Sequence, residues 1–189
     1  MSNEILSLLK ESGAFLEGHF LLTSGRHSNK YIEKFRLMES PNHLDKVCQK
    51  MSSQFSKDSV DIVLGAAIGG ILLSSGVAKY LEKKGIFTER VQEKMELRRG
   101  FEIQEGSNVL IVEDIVSTGG SIFELIEVVK ECNANVTGVT SIVHRSIDEI
   151  DFGCTYRPLL NYPVESWEEA DMPKWLSDIP ITVHGRSGK

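Results

Sequence analysis

The chain has 189 residues, of which 41% are hydrophobic, and a formal net charge of −6 with a pI near 5.4. That is enough apolar material for one ordinary core, no run approaches the ~20 apolar residues of a membrane span, and the acidic balance argues against nucleic acid as the main partner. Three widely spaced cysteines, Cys48, Cys132 and Cys154, form no CxxC pair, which suits reduced thiols in a cytoplasmic protein better than a disulfide frame or zinc site.

In chain order, Asn3–Glu11 places Ile5, Leu6, Leu8 and Leu9 on one side of a predicted helix that stops at Gly13, and it lacks the basic start of a signal peptide. Two extended pieces follow, about Phe15–Thr23 and Tyr31–Phe35, around a turn at Ser24-Gly25-Arg26-His27-Ser28. Ser40-Pro41 opens a helix through about Phe55, with proline in its first turn. From there the pattern alternates. Val60–Leu64 reads as a strand, Gly65-Ala66-Ala67-Ile68-Gly69-Gly70 as a small-residue turn, Ile71–Lys84 as a helix ending at Gly85, and Ile86–Val91 as a strand. Asn108–Val112 is a buried strand, the helix after Thr118 ends near Asn133, and Val136–Val143 is a further strand. Beyond Cys154, Thr155–Asn161 and Ile179–His184 flank an acidic segment with two tryptophans. Alternation of this kind predicts an α/β fold with a mostly parallel central sheet, helices on both faces and right-handed crossovers. Residues 1–189 are expected to form a single domain, with cap elements at about 13–36 and 154–189.

The chemistry concentrates between Asn108 and Ser121, NVLIVEDIVSTGGS. Glu113 and Asp114 stand where a parallel strand should be buried, a costly place for two carboxylates unless they face a site. Ser117-Thr118-Gly119-Gly120-Ser121 then leads into a helix whose start offers unpaired N–H groups and a positive dipole end, suited to phosphate. Carboxylates suit sugar hydroxyls or a metal ion. Together the two halves fit a ribose 5-phosphate. The turn at residues 65–70 can present backbone N–H groups to a second anion, although as a bare strand–helix connection it reads equally well.

The thirteen residues VLIVEDIVSTGGS resemble the phosphoribosyl diphosphate (PRPP) signature of the type I phosphoribosyltransferases. GAFLEGHFLLTSGRHSNKY, GAAIGGI and DIPITVHGRSGK are similar to segments of the orotate phosphoribosyltransferases, in that family's order, and the short segment ERVQEKMELRRGF suggests a shorter bacterial branch. The resemblance implies a type I phosphoribosyltransferase-like fold, transfer of phosphoribosyl from PRPP to N1 of orotate with release of pyrophosphate in pyrimidine biosynthesis, a need for Mg2+ and a homodimer.

It also implies site residues. Glu113 and Asp114 would hold the ribose hydroxyls. Ile115, Val116 and Ser117–Ser121 would form the 5-phosphate loop, with Ser117 close to the base. Ala66, Ala67, Ile68 and Gly69 would meet pyrophosphate. Arg145, after the strand, would pair with the orotate carboxylate through a two-pronged bond, and Ser24, Gly25 and Arg26 would lie over the base. Arg90, Lys94, Arg98 and Arg99, four cations within ten residues, would supply a positive wall for the leaving group, with Arg90 and Lys94 counted with Glu113 and Asp114 as catalytic. Their alternation with Glu89, Glu93 and Glu96 equally describes a solvated hairpin of exposed ion pairs. Magnesium is expected on PRPP itself, with Asp114 the side chain nearest to it. His27 alone reads as a surface histidine, and His19 and His144 as structural.

The chain departs from the family in carrying Thr23 and Gly69 where many orotate enzymes carry lysines, and it has no histidine between His43 and His144. Two further readings remain open: a transferase for a purine or another base, and a regulator that senses PRPP without turnover.

Overall fold

A computed structural model describes residues 2–22 and 24–183. Its centre is a six-stranded sheet in the order β5-β4-β3-β6-β7-β8. The strands are β3 (Ile62–Ala66), β4 (Lys84–Val91), β5 (Lys94–Leu97), β6 (Asn108–Val116), β7 (Asn135–His144) and β8 (Tyr156–Asn161). All neighbours run parallel except β5, which turns back on β4 as an edge hairpin. The middle strands β3 and β6 are nearly continuous apolar runs because helices cover both faces.

On one face, α1 (Ser2–Glu11), α3 (Pro41–Ser52) and α4 (Gly69–Leu81) pack Ile5, Leu9, Val47, Met51, Leu73 and Val77 against Val63, Leu110 and Val112. On the other, α5 (Gly120–Glu131) buries Ile122, Leu125, Ile126 and Val129 against Leu64, Val109 and Ile111. Each such side chain contributes roughly 1.5–3 kcal/mol relative to exposure. Ser40 caps α3 by accepting the His43 N–H, with Pro41 at the first helical position.

The second, three-stranded sheet has the order β2-β1-β9, from β1 (Phe15–Leu21), β2 (His27–Ile32) and β9 (Ile181–Val183). Thus the first hairpin and the tail meet in this sheet. They are fastened by polar contacts. His27 and Trp167 exchange backbone hydrogen bonds of 2.8 Å, and Arg26 donates to Ser166 and Glu168. His19 Nδ1 donates to the Ile179 carbonyl at 2.9 Å, while its Nε2 lies 2.7 Å from Nδ1 of His27. A short helix, α6 (Lys174–Ser177), seats the fully buried Leu176 beside β1.

Several boundaries differ from the expectations. Strand β6 runs four residues past Val112, because Glu113, Ile115 and Val116 continue the ladder opposite Ser141, Val143 and His144. The two carboxylates broke the apolar pattern without ending the strand. The expected strand Tyr31–Phe35 is instead the end of β2 followed by α2 (Lys34–Met38), whose start Glu33 caps through the Phe35 N–H. Gly85 lies inside β4 and does not stop α4. The reversal occurs at Glu82, at φ 58°, and a Cβ on Gly85 would stand 2.7 Å from the Ser74 carbonyl, so this glycine admits the helix against the sheet. His27 is 5% exposed, no surface residue, since β2 lies beneath the tail. Thr23 and the last residues of DIPITVHGRSGK lie outside the described residues.

Candidate active site

Three strands end side by side and each delivers part of the site. β3 leads through Ala67 and Ile68 into α4, β6 through Ser117–Gly119 into α5, and β7 ends beside Arg145. Ligands of open α/β sheets sit at this carboxyl edge. The sheet edge opens onto a cavity of about 780 Å³, joined to a second of about 270 Å³ through shared walls at Glu113, Ile115, Ser117 and Ser121.

The smaller cavity lies at the strand-to-helix turn after β6. Val116, Thr118, Gly119, Gly120, Ile122 and Glu124 complete it, and α5 follows Gly119 with no side chain capping its N–H groups. The glycine is required twice over: its φ is 80°, and a Cβ there would meet the Phe152 ring at 2.8 Å. Helix α4 likewise starts uncapped at Ile68, whereas α2 and α3 carry caps from Glu33 and Ser40. Two uncapped helix starts face one space, each able to hold an anion.

Between them stand the carboxylates. Glu113 is 8% and Asp114 3% exposed. Each accepts the N–H of the next residue, Asp114 N–H to Glu113 at 2.9 Å and Ile115 N–H to Asp114 at 2.6 Å. Burial and the adjacent Asp114 charge push the Glu113 carboxyl well above its usual range. Asp114 Oδ2 receives Lys34 Nζ at 2.7 Å. Arg145 lines the larger cavity on the side of β7, and burial draws its pKa down from the usual arginine value. Tyr31 lines the same cavity, its phenol pushed up chiefly by burial and electrostatically coupled to Arg145.

The structure therefore brings together Glu113, Asp114, Ile115, Ser117, Ser121, Ala66, Ala67, Ile68, Gly69, Arg90 and Arg145 on the larger cavity, with Val116, Thr118, Gly119 and Gly120 on the smaller. It leaves others outside. Lys94, Arg98 and Arg99 are exposed on the β4–β5 hairpin and the loop after it, and Arg99 grips Glu89 through Nε and Nη2 at 2.6 and 3.2 Å. Arg90 alone of that group reaches the cavity, held by Glu124 of α5 at 2.8 Å. Ser24 and Gly25 are exposed, and Arg26 is turned to the tail. Lys30 bonds the Tyr162 hydroxyl at 2.8 Å. Among the cavity residues that escaped the sequence reading are Tyr31 and Lys34. Both follow from a chain reversal at Glu33 that an assumed straight strand concealed.

The family model described as Phosphoribosyl transferase domain matches residues 37–180. Orotate phosphoribosyltransferase of Caldicellulosiruptor bescii is 40% identical over 184 residues, 97% of either chain, and that of Thermotoga maritima 41% identical over 97% of this chain and 98% of its own. Among solved structures, orotate phosphoribosyltransferase from Aeropyrum pernix is similar with a TM-score of 0.66 at 25% identity, covering 83% of this chain and 93% of that one. An adenine phosphoribosyltransferase from Trypanosoma brucei shares the fold at TM-score 0.64 and 14% identity, covering 82% and 79%. With two uncapped helix starts, a buried acidic pair between them and this extent of similarity, the chain belongs to the phosphoribosyltransferase family, in its orotate phosphoribosyltransferase branch.

Proposed function

We propose that the protein transfers the 5-phosphoribosyl group of PRPP to N1 of orotate, giving orotidine 5-phosphate and pyrophosphate, a step of pyrimidine nucleotide synthesis. The observation that carries this reading is the buried Glu113–Asp114 pair standing between two uncapped helix starts, with Arg145 on the same cavity. Phosphate, diphosphate and an acidic base each find a matching wall.

In this reading the 5-phosphate lies on Ser117–Ser121, the ribose hydroxyls donate to Glu113 and Asp114, and the diphosphate rests on Ala66–Gly69. The carboxylate of orotate pairs with Arg145. The N1 lone pair of the orotate anion attacks C1, the N1–C1 bond forms, and the C1–O bond breaks with its electron pair leaving on pyrophosphate. Positive charge grows on the ribose ring and is met by the adjacent Asp114 carboxylate, while the leaving charge is met by backbone N–H groups and Arg90. Glu113 and Asp114 are hard oxygen donors that fit magnesium. Asp114 is the side chain that would help hold the ion on PRPP, where it supplies neutralising charge to the leaving group. Ser24, Gly25 and Arg26 are assigned to the entrance over the base.

The cations Lys94, Arg98 and Arg99 are assigned to a partner's site in a homodimer, because they are exposed and do not line their own cavity. The chain acts as one catalytic unit, and free thiols at Cys48, Cys132 and Cys154 suit a cytoplasmic enzyme. The deciding experiment follows loss of orotate absorbance with PRPP and magnesium, beside adenine, guanine, xanthine and uracil. Consumption of orotate alone supports the reading; turnover of another base, or PRPP binding without any product, overturns it.

A further inference from the structure

Lys34 is the one cavity cation, among the described residues, whose recorded ion pair is with a carboxylate that the ribose needs. Arg90 is spent on Glu124, and Arg145 has no recorded carboxylate partner. Lys34 begins α2 and is about one third exposed, while the Asp114 side chain it meets is 4% exposed. The same Asp114 Oδ2 that accepts its ammonium lies 1.8 Å from where a Gly69 Cβ would stand. The ammonium is thus held at the junction of the ribose carboxylates and the uncapped start of α4.

Two buried neighbouring carboxylates without a cation are expensive and repel a polyanionic ligand. Lys34 offsets that charge in the free protein. Once ribose hydroxyls occupy the lone pairs of Asp114, the ammonium must find another anion. Its four-carbon stem is flexible and its three donors turn freely, and the anion arriving with the ribose is the diphosphate on the α4 loop.

Resting on the phosphoribosyl reading above, we infer that Lys34 is an exchangeable cation: it neutralises Asp114 in the free protein and passes to a diphosphate on the α4 loop, whether free or carried by the phosphoribosyl donor. It supplies the charge missing at position 69, where Gly69 leaves no room for a side chain beside Asp114. Lys34 is a binding and positioning residue in this role.

The test uses Lys34→Gln and Lys34→Arg with the full-length protein. Calorimetric titration of PRPP and of magnesium pyrophosphate, without any base, reads the contact directly. Lys34→Gln is expected to weaken both by about ten- to a hundredfold, while the KM for orotate changes less than about threefold. Lys34→Arg is expected to recover most of the loss. Unchanged PRPP and pyrophosphate affinity in Lys34→Gln overturns the inference, as does an equal loss for orotate, which would mark general damage. A measurement on the wild-type protein stands independently of any folding defect: amine labelling of Lys34, read by peptide mass spectrometry, should be suppressed by magnesium pyrophosphate and unaffected by orotate. Labelling indifferent to pyrophosphate counts against the exchange. The two readings fail separately, because absent orotate turnover refutes the base assignment, whereas these titrations involve no base.

Discussion

A Cβ built on Gly69 would stand 1.8 Å from Oδ2 of Asp114, so the residue opening α4 and the carboxylate of β6 occupy adjoining space with nothing to spare. Gly69→Ala is therefore expected to push Asp114 off its position and to lower kcat/KM for PRPP by about a hundredfold, the scale of an ångström-sized misplacement. Because φ at this position needs no glycine, the melting temperature should move little. Steady-state kinetics with a thermal melt separate the two.

Asp114→Asn keeps the shape of the side chain and removes its charge. Turnover should fall by about a hundredfold or more while a cooperative melt is retained. Rates near those of the wild type would remove Asp114 from the ribose-binding role.

Glu113 gives the free protein a pH signature. Its carboxyl is raised from 4.5 to about 8 by burial and by Asp114, so between those values the folded chain keeps a proton that the unfolded chain has released. Stability from this group is present below the unfolded value and lost as pH rises toward the folded one, at up to about 1.4 kcal/mol per pH unit. Glu113→Gln should flatten that part of the curve. Denaturant melts from pH 5 to 8.5 on both proteins, compared as a difference, isolate it; parallel curves would refute the assignment.

Arg145→Ala should raise the KM for orotate by about ten- to a hundredfold, the loss of a charge-assisted pair, and leave the Kd for PRPP within a few-fold. An equal effect on both ligands would contradict a contact to the base.

Gly119→Ala combines a φ of 80° with a Cβ placed 2.8 Å from the Phe152 ring. The backbone alone should cost about 1–3 kcal/mol. Affinity for inorganic phosphate should drop in parallel, since the same residue shapes the small cavity.

The carboxylate pair and the turn after it stood out in the sequence because two acids inside an apolar strand, followed by small residues and an amphipathic helix, make a costly local pattern unless they face a site. Arg145 was named through the family resemblance, since an arginine after a strand by itself reads as a surface residue, and it lies on the larger cavity. Lys34 was hidden, since its role depends on Glu33 turning the chain and on Asp114, eighty positions away, meeting it across the cavity. The charged stretch Arg90–Arg99 mixed both readings, and the fold divides it. Arg90 reaches the cavity, while Glu89 and Arg99 pair on the hairpin as alternating charges do. The Ser24–Arg26 loop could not be placed from sequence because its partners, Ser166 and Glu168, are about 140 residues distant.

The two buried histidines of the cap impose a direction on their protons. The Ile179 carbonyl can only accept, so His19 Nδ1 carries the hydrogen there. In the neutral ring its Nε2 must then accept, and His27 Nδ1 must donate to it. One tautomer is thereby dictated at each ring by a carbonyl in the tail. An asparagine at position 27 could still offer a donor to His19, whereas a leucine would strand a buried acceptor. The junction of hairpin and tail is thus a one-way relay that tells these substitutions apart.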